Sequence, residues 1–228
     1  GIDGIPQPNI DYVLAAALAI APVLRPGNLV LLESTSPVGT TEQVAQVIGE
    51  LSGLNNEQLH IAYCPERVLP GRILQELISN DRVIGGLTPA AAEAGKAFYA
   101  TFCQGELLTT TARTAELVKL TENSFRDVNI AFANELSLVC DRLGINVREL
   151  IRLANHHPRV NVLQPGCGVG GHCIAVDPWF IAAEAPDCTP LIQTARRVND
   201  GKSRWVIEQV QARATARLEH IHPRVVVG

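Results

Sequence analysis

The 228-residue chain contains no methionine, not even at position 1, which predicts an internal piece of a longer protein. It has no run of lysine and arginine: 19 basic against 23 acidic side chains leave a net charge of -4. A non-specific nucleic-acid binder concentrates the opposite sign in a patch, so no nucleic-acid partner is expected. The longest apolar stretches, 12–20 and 174–183, are broken by charge or proline before the ~20 residues a membrane span requires. No basic-then-apolar leader with a cleavage site opens the chain. The expectation is a cytoplasmic protein with no membrane partner. Charged residues at 18% leave no room for a long disordered tail.

Cysteine is present six times (64, 103, 140, 167, 173, 188), with neither a CxxC nor a regular spacing. That pattern excludes a disulfide framework and predicts reduced thiols, most of them small buried hydrophobes such as Cys140. The 46% apolar content and a mean hydropathy of +0.13 suffice for a sizeable core. The length lies between one domain and two.

Short continuous apolar runs mark strands covered on both faces: 29–32, 60–63, 82–86 and 107–109. Helical segments over 12–24, from the 34–40 turn through Ile48, and over 89–102 alternate with them. The predicted fold is α/β, a mostly parallel Rossmann-like sheet. Ligands sit at the carboxyl ends of strands in such sheets. Here those ends carry Ser34-Thr35-Ser36 and Glu66. From 114 to 143 one long helix is expected, with Thr114 as N-cap and Gly144 as its stop. Val128, Phe132, Leu136, Val139 and Leu143 form its expected core face, and Glu116, Lys119, Asn123 and Asp127 a polar stripe opposite. A solvated face is the ordinary reading of such a stripe. A capping box at Asn146 and Glu149 opens a second helix, and further helices are expected from about Trp179 and over 190–218.

Between them lies a loop, 158–178, whose core is Gly166-Cys167-Gly168-Val169-Gly170-Gly171-His172-Cys173 followed by Asp177. Its GxGxxG match sits between helices rather than after a strand, so it is no dinucleotide fingerprint. Two readings of Cys173 stay open on spacing alone: an uncovered nucleophile with Asp177 four residues on, or a buried structural thiol. Cys167, His172, Cys173 and Asp177 are all possible zinc ligands, but their spacing fits no familiar zinc module. Lys119 and Asn123, one turn apart, are able to donate together to an oxyanion. The hydroxyls of 34–41 suit either an anion site or a Ser/Thr N-cap. His156 and His157 read as polar loop residues.

Four ordered stretches together resemble the UDP-glucose/GDP-mannose dehydrogenase family. Ser34-Thr35-Ser36-Pro37-Val38-Gly39-Thr40 is similar to its STxPVGT turn, and Pro65-Glu66-Arg67 to its PE motif. Residues 115–123 are similar to AExxKLxxN, and Gly168 to Cys173 with Asp177 to GxGGxC…D. The resemblance covers essentially the whole chain. It implies a partial NAD-binding domain over 1–112, a helical central domain over 113–222 and, at 223–228, the first strand of a UDP-binding domain. The activity implied is NAD-dependent oxidation of a UDP-sugar C6 alcohol to a carboxylate. Cys173 would be the nucleophile, Lys119 and Asn123 would stabilise oxyanions, and Asp177 and Glu66 would organise water and act as base. Ser34 and Thr35 would face the cofactor, and Arg159, Gly170, Lys119 and Asn123 the substrate. The resemblance implies no metal. The long helix also carries more apolar positions than one stripe facing its own domain needs, among them Phe125, Ile130, Ala131 and Ala133, which predicts a homodimer built on it. Val176 stands where the UDP-glucose branch carries lysine, which argues against UDP-glucose as substrate; the stretches 170–180 and 122–129 are similar to the N-acetylated-hexosamine branch, the epimer left open.

Overall fold

The computed structural model describes residues 5–68 and 71–218, so the strand expected at the extreme C-terminus lies outside the described residues. The chain groups into two compact units, Gly1–Glu122 with Trp179–Cys188 and Asn123–Pro178 with Thr189–Gly228.

The first unit is built on a four-stranded sheet of order β1-β2-β3-β4. The strands are β1 (Leu29–Leu32), β2 (His60–Tyr63), β3 (Arg82–Gly86) and β4 (Leu107–Thr111). Three of them occupy the residues their apolar runs predict, and β4 runs two residues further. Pairing refines the expectation: β1 is parallel to β2 and β3 to β4, but β2 and β3 are antiparallel. β1 and β2 therefore send their carboxyl ends, with Ser34 and Glu66, to one edge, and β3 and β4 send theirs to the opposite one. Helices α1 (Asp11–Ile20), α2 (Thr40–Ser52), α3 (Ile73–Ser79) and α4 (Pro89–Tyr99) belong to this unit. Successive β2 residues point to opposite faces: Ile61 packs with Ala17, Val44 and Ile48, and Ala62 with Ile84, Tyr99 and Cys103. Both faces are covered, as runs without alternation require. Helix α3 had no sequence signal; it is seven residues long and buries none of them.

The remaining helices are α5 (Ala112–Leu143), α6 (Val147–Ala154), α7 (Asp177–Glu184) and α8 (Pro190–Leu218). Helix α5 starts two residues before the expected cap. Thr111, not Thr114, accepts the first-turn bond, from the Thr114 N–H at 3.3 Å. Gly144, at φ 68, stops α5 as expected. Asn146 caps α6 by accepting from the Arg148 and Glu149 N–H groups.

The faces of α5 are the reverse of the expectation. Phe132, Val139 and Leu143, read as core, are exposed, while Glu116, Asn123 and Asp127 are buried together with Asn134. The cause is partners distant in sequence. Asp127 pairs with Arg196 on α8 at 2.6 Å and receives a bond from Asn199 at 2.7 Å. Asn134 donates to Asn199 at 2.8 Å. With its donors supplied, a polar stripe is stable out of water. No helix among the described residues is long and apolar enough to cross a membrane.

Candidate active site

In the first unit, Ser34 is exposed and Thr35 half-buried at the carboxyl end of β1. The turn they open is held internally: the Ser36 hydroxyl donates to the Ser34 carbonyl at 2.8 Å, and the Thr40 hydroxyl to the Pro37 carbonyl at 2.8 Å. Beyond β2 the pairing continues, the Glu66 N–H donating to the Glu33 carbonyl at 3.3 Å. Glu66 is thereby set beside the β1 end. One of its carboxylate oxygens accepts from the N–H groups of Arg67 at 2.6 Å and Val68 at 2.9 Å. Arg67 forms an ion pair with Glu122, which fixes the segment after the PE motif.

The N-terminus of α2 is not the anion site, nor the Ser/Thr cap, that its hydroxyls suggested. Its N-cap is Gly39 at φ 92, a left-handed backbone suited to glycine that leaves no capping side chain. The cap comes from α5 instead. Glu116, fully buried, accepts from the Gly39 N–H at 2.6 Å, the Thr41 N–H at 2.8 Å and the Thr41 hydroxyl at 2.6 Å. Burial pushes its carboxyl above the ordinary range, while bonds from Thr41 and Gly39 pull it back. A cofactor phosphate finds this helix end already occupied. The sequence marked Glu116 as one member of a stripe; its role was legible only in the absence of any capping side chain at Gly39. Lys119, one turn along α5, is half-buried.

In the second unit Cys173 is exposed. Its carbonyl accepts from the N–H groups of Val176 at 3.0 Å and Asp177 at 2.9 Å, so the cysteine sits on the turn that opens α7. Asp177 is buried and accepts from the Asn123 side-chain amide at 2.6 Å. The structure thus brings together three of the expected residues: Asn123, Asp177 and, on the same turn, Cys173. The buried-thiol alternative for Cys173 is overturned. The zinc alternative finds no support: among the described residues no three His, Cys, Asp or Glu side chains form a metal-binding group.

The glycine-rich loop is anchored from below. The Gly166 N–H donates to the Asn134 side chain at 2.9 Å, and the Ser203 hydroxyl to the Cys167 carbonyl at 2.7 Å. Gly168, at φ 123, lies so close to α8 that a Cβ there would meet the Ser203 hydroxyl at 2.3 Å. Asn134 and Ser203 went unnoticed in the sequence, where each is one polar residue on a long helix. Arg159 and Gly170 are exposed and stand apart from this anchoring. Lys202, buried beneath the loop, donates to Ser137 at 2.8 Å and stacks on Trp205.

Residues 2–103 match the family model for the UDP-glucose/GDP-mannose dehydrogenase family, NAD binding domain, and residues 113–201 that for the central domain. The chain belongs to this family. It is 61% identical over 220 residues to UDP-N-acetyl-D-mannosamine dehydrogenase of Salmonella typhimurium, which covers 92% of this chain and 52% of the relative. It is 57% identical over 216 residues to NDP-N-acetyl-D-galactosaminuronic acid dehydrogenase of Ralstonia nicotianae, covering 91% of this chain and 51% of the relative. Among solved structures, UDP-D-ManNAc dehydrogenase from Pyrococcus horikoshii superposes with a TM-score of 0.88 at 43% identity, covering 93% of this chain and 51% of that one. The chain spans about half the length of the curated relatives it matches.

Proposed function

We propose that the whole protein carrying this chain oxidises the C6 alcohol of UDP-N-acetyl-D-mannosamine to the carboxylate, consuming two NAD⁺ and one water. The observation that carries the reading is the Cys173 turn, with an exposed thiol four residues from a buried carboxylate that is itself held by Asn123. Bound NAD⁺ would accept a hydride in each of the two oxidations. The Ser34 and Thr35 hydroxyls fit its nicotinamide end; its phosphates would be bound elsewhere than α2, whose N-terminus Glu116 fills. Cys173 attacks the C6 aldehyde left by the first oxidation and holds it as a thiohemiacetal, so that the reactive aldehyde is retained. Lys119 and Asn123 donate to the oxyanion that forms. The second oxidation leaves a thioester on Cys173, and Asp177 and Glu66 organise the water that hydrolyses it. Arg159 and Gly170 contact the sugar nucleotide.

The sugar follows the names of the relatives at about 60% identity. A galactosamine epimer is the second reading, favoured by the 57% identical Ralstonia relative. Assay of the whole protein against UDP-sugars that differ in epimer and in the N-acetyl group decides between them. The expected result is two NADH per sugar and the highest kcat/KM with UDP-N-acetyl-D-mannosamine; preference for another sugar overturns the assignment.

The same reading makes the protein a cytoplasmic homodimer. On α5, Phe125 and Phe132 are 69% and 57% exposed, and Phe132 and Val139 continue the seven-residue repeat of a helix-pairing seam. Phe132→Glu should convert a dimer to a monomer in sedimentation; a wild-type monomer contradicts the proposal.

A further inference from the structure

Glu116 is a costly way to cap a helix. A serine or aspartate at the N-cap does the task locally, whereas here a carboxylate 77 residues away in sequence from Gly39 is buried with no ion-pair partner among the described residues. The three donors are all N–H or O–H groups aimed at it, and the positive end of the α2 dipole favours its negative charge. A second tie lies one turn earlier on α5, where Arg113 donates to both Glu42 oxygens, at 2.7 and 2.6 Å. The first two turns of α5 therefore grip the first turn of α2 at two points, one buried and one exposed. The Ser34–Gly39 segment cannot move freely of that grip, because Ser36 and Thr40 bond it to itself. Lys119 follows Glu116 on the next turn of α5.

We propose that Glu116 is a positioning residue that fixes the register between the Ser34–Thr35 turn and the α5 helix carrying Lys119. It touches neither substrate nor cofactor. It acts through the turn, so this inference rests on the roles proposed above for Ser34, Thr35 and Lys119. The groups it holds are on opposite sides of a hydride transfer in that reading, one facing the cofactor and one the reacting oxygen. A displacement of an ångström between such groups lowers the rate by up to about a hundredfold.

The test uses the whole protein and the variants Glu116→Gln, Thr41→Val and Thr41→Ser. Glutamine turns an amide N–H₂ toward donors, valine removes one donor without touching the charge, and serine keeps that donor. Glu116→Gln is expected to lower kcat about tenfold to a hundredfold and to raise KM for NAD⁺, with KM for the UDP-sugar unchanged. Thr41→Val should show a smaller version of the same split, Thr41→Ser none, and the double variant no more than Glu116→Gln alone. A merely structural contact would lower the folded fraction and leave both KM values where they were. Amide hydrogen exchange across 34–41 reads the clamp without turnover: Thr41→Val should lose protection there and Thr41→Ser keep it. If the wild type makes no NADH from any UDP-sugar, the functional reading fails and the exchange pattern still decides the clamp. Unchanged protection in Thr41→Val, or unchanged kcat and NAD⁺ KM in a folded Glu116→Gln, overturns the inference.

Discussion

Replacing Arg196 by methionine probes the interior of the second unit most directly. The Arg196 and Asp127 side chains are 2% and 1% exposed and meet at 2.6 Å. Asn199 donates to the same Asp127 oxygen, and the other oxygen has no partner among the described residues. Without Arg196 the buried carboxylate keeps one side-chain donor, and the expected loss is about 3–5 kcal/mol. Protonation limits that loss. Burial already pushes the Asp127 carboxyl above its usual range against the pull of Arg196, so in the variant it takes up a proton more readily still. The destabilisation should therefore shrink as pH falls. Asp127→Leu combined with Arg196→Met leaves no charge stranded and should cost less than Arg196→Met alone. Urea unfolding followed by Trp205, in a Trp179→Phe background, reports the second unit by itself. With a slope near ~2 kcal/mol/M, the single variant should move the midpoint by roughly 1.5–2.5 M. A single-variant cost under about 1 kcal/mol, or a double variant equal to the sum of its singles, refutes the reasoning.

Cys173→Ser in the whole protein should abolish carboxylate formation, a barrier increase of several kcal/mol on the order expected when a thiolate nucleophile is lost. Cys167→Ser should turn over nearly normally, because Ser203 holds that residue by its backbone carbonyl; mass spectrometry for protein-bound sugar checks both. Gly168→Ala should destabilise the loop, since its Cβ would lie 3.0 Å from the Asn199 carbonyl as well as against Ser203. Proteolysis within 166–171 would detect the loosening, and adding Ser203→Ala should relieve only part of it. Burial lowers the Lys202 ammonium pKa below 10.5, so the folded state binds its proton less tightly than the unfolded chain does. Its contribution to stability therefore rises as pH climbs through the folded value toward 10.5. Thermal midpoints taken across that alkaline range should lose the rise in Lys202→Met; an identical profile in the variant contradicts this account.

The strands were legible almost to the residue because a run such as Leu29–Leu32 encodes its own environment: apolar on both faces, it must be covered on both. Helix α8 was equally legible, opening at Pro190 in the position proline favours. The antiparallel meeting of β2 and β3 was not, since strand direction is decided by the path of the connection rather than by strand composition. The faces of α5 failed for a related reason. Composition reports what a side chain is, but Asp127 is buried only because Arg196 and Asn199 reach it from α8. The candidate site divided along the same line. Cys173, Asp177 and Asn123 stood out through their motifs, whereas Asn134, Ser203 and the capping task of Glu116 depend on contacts that no local pattern contains.

The cysteines fall into two sets: Cys64, Cys103 and Cys140 are buried and Cys167, Cys173 and Cys188 exposed. Each compact unit holds thiols of both kinds, with Cys64, Cys103 and Cys188 in the first and Cys140, Cys167 and Cys173 in the second. The protein thus carries its own opening gauge. A pulse of alkylating reagent marks the exposed set at once, and the later labelling of Cys140 against that of Cys64 and Cys103 times the opening of one unit separately from the other.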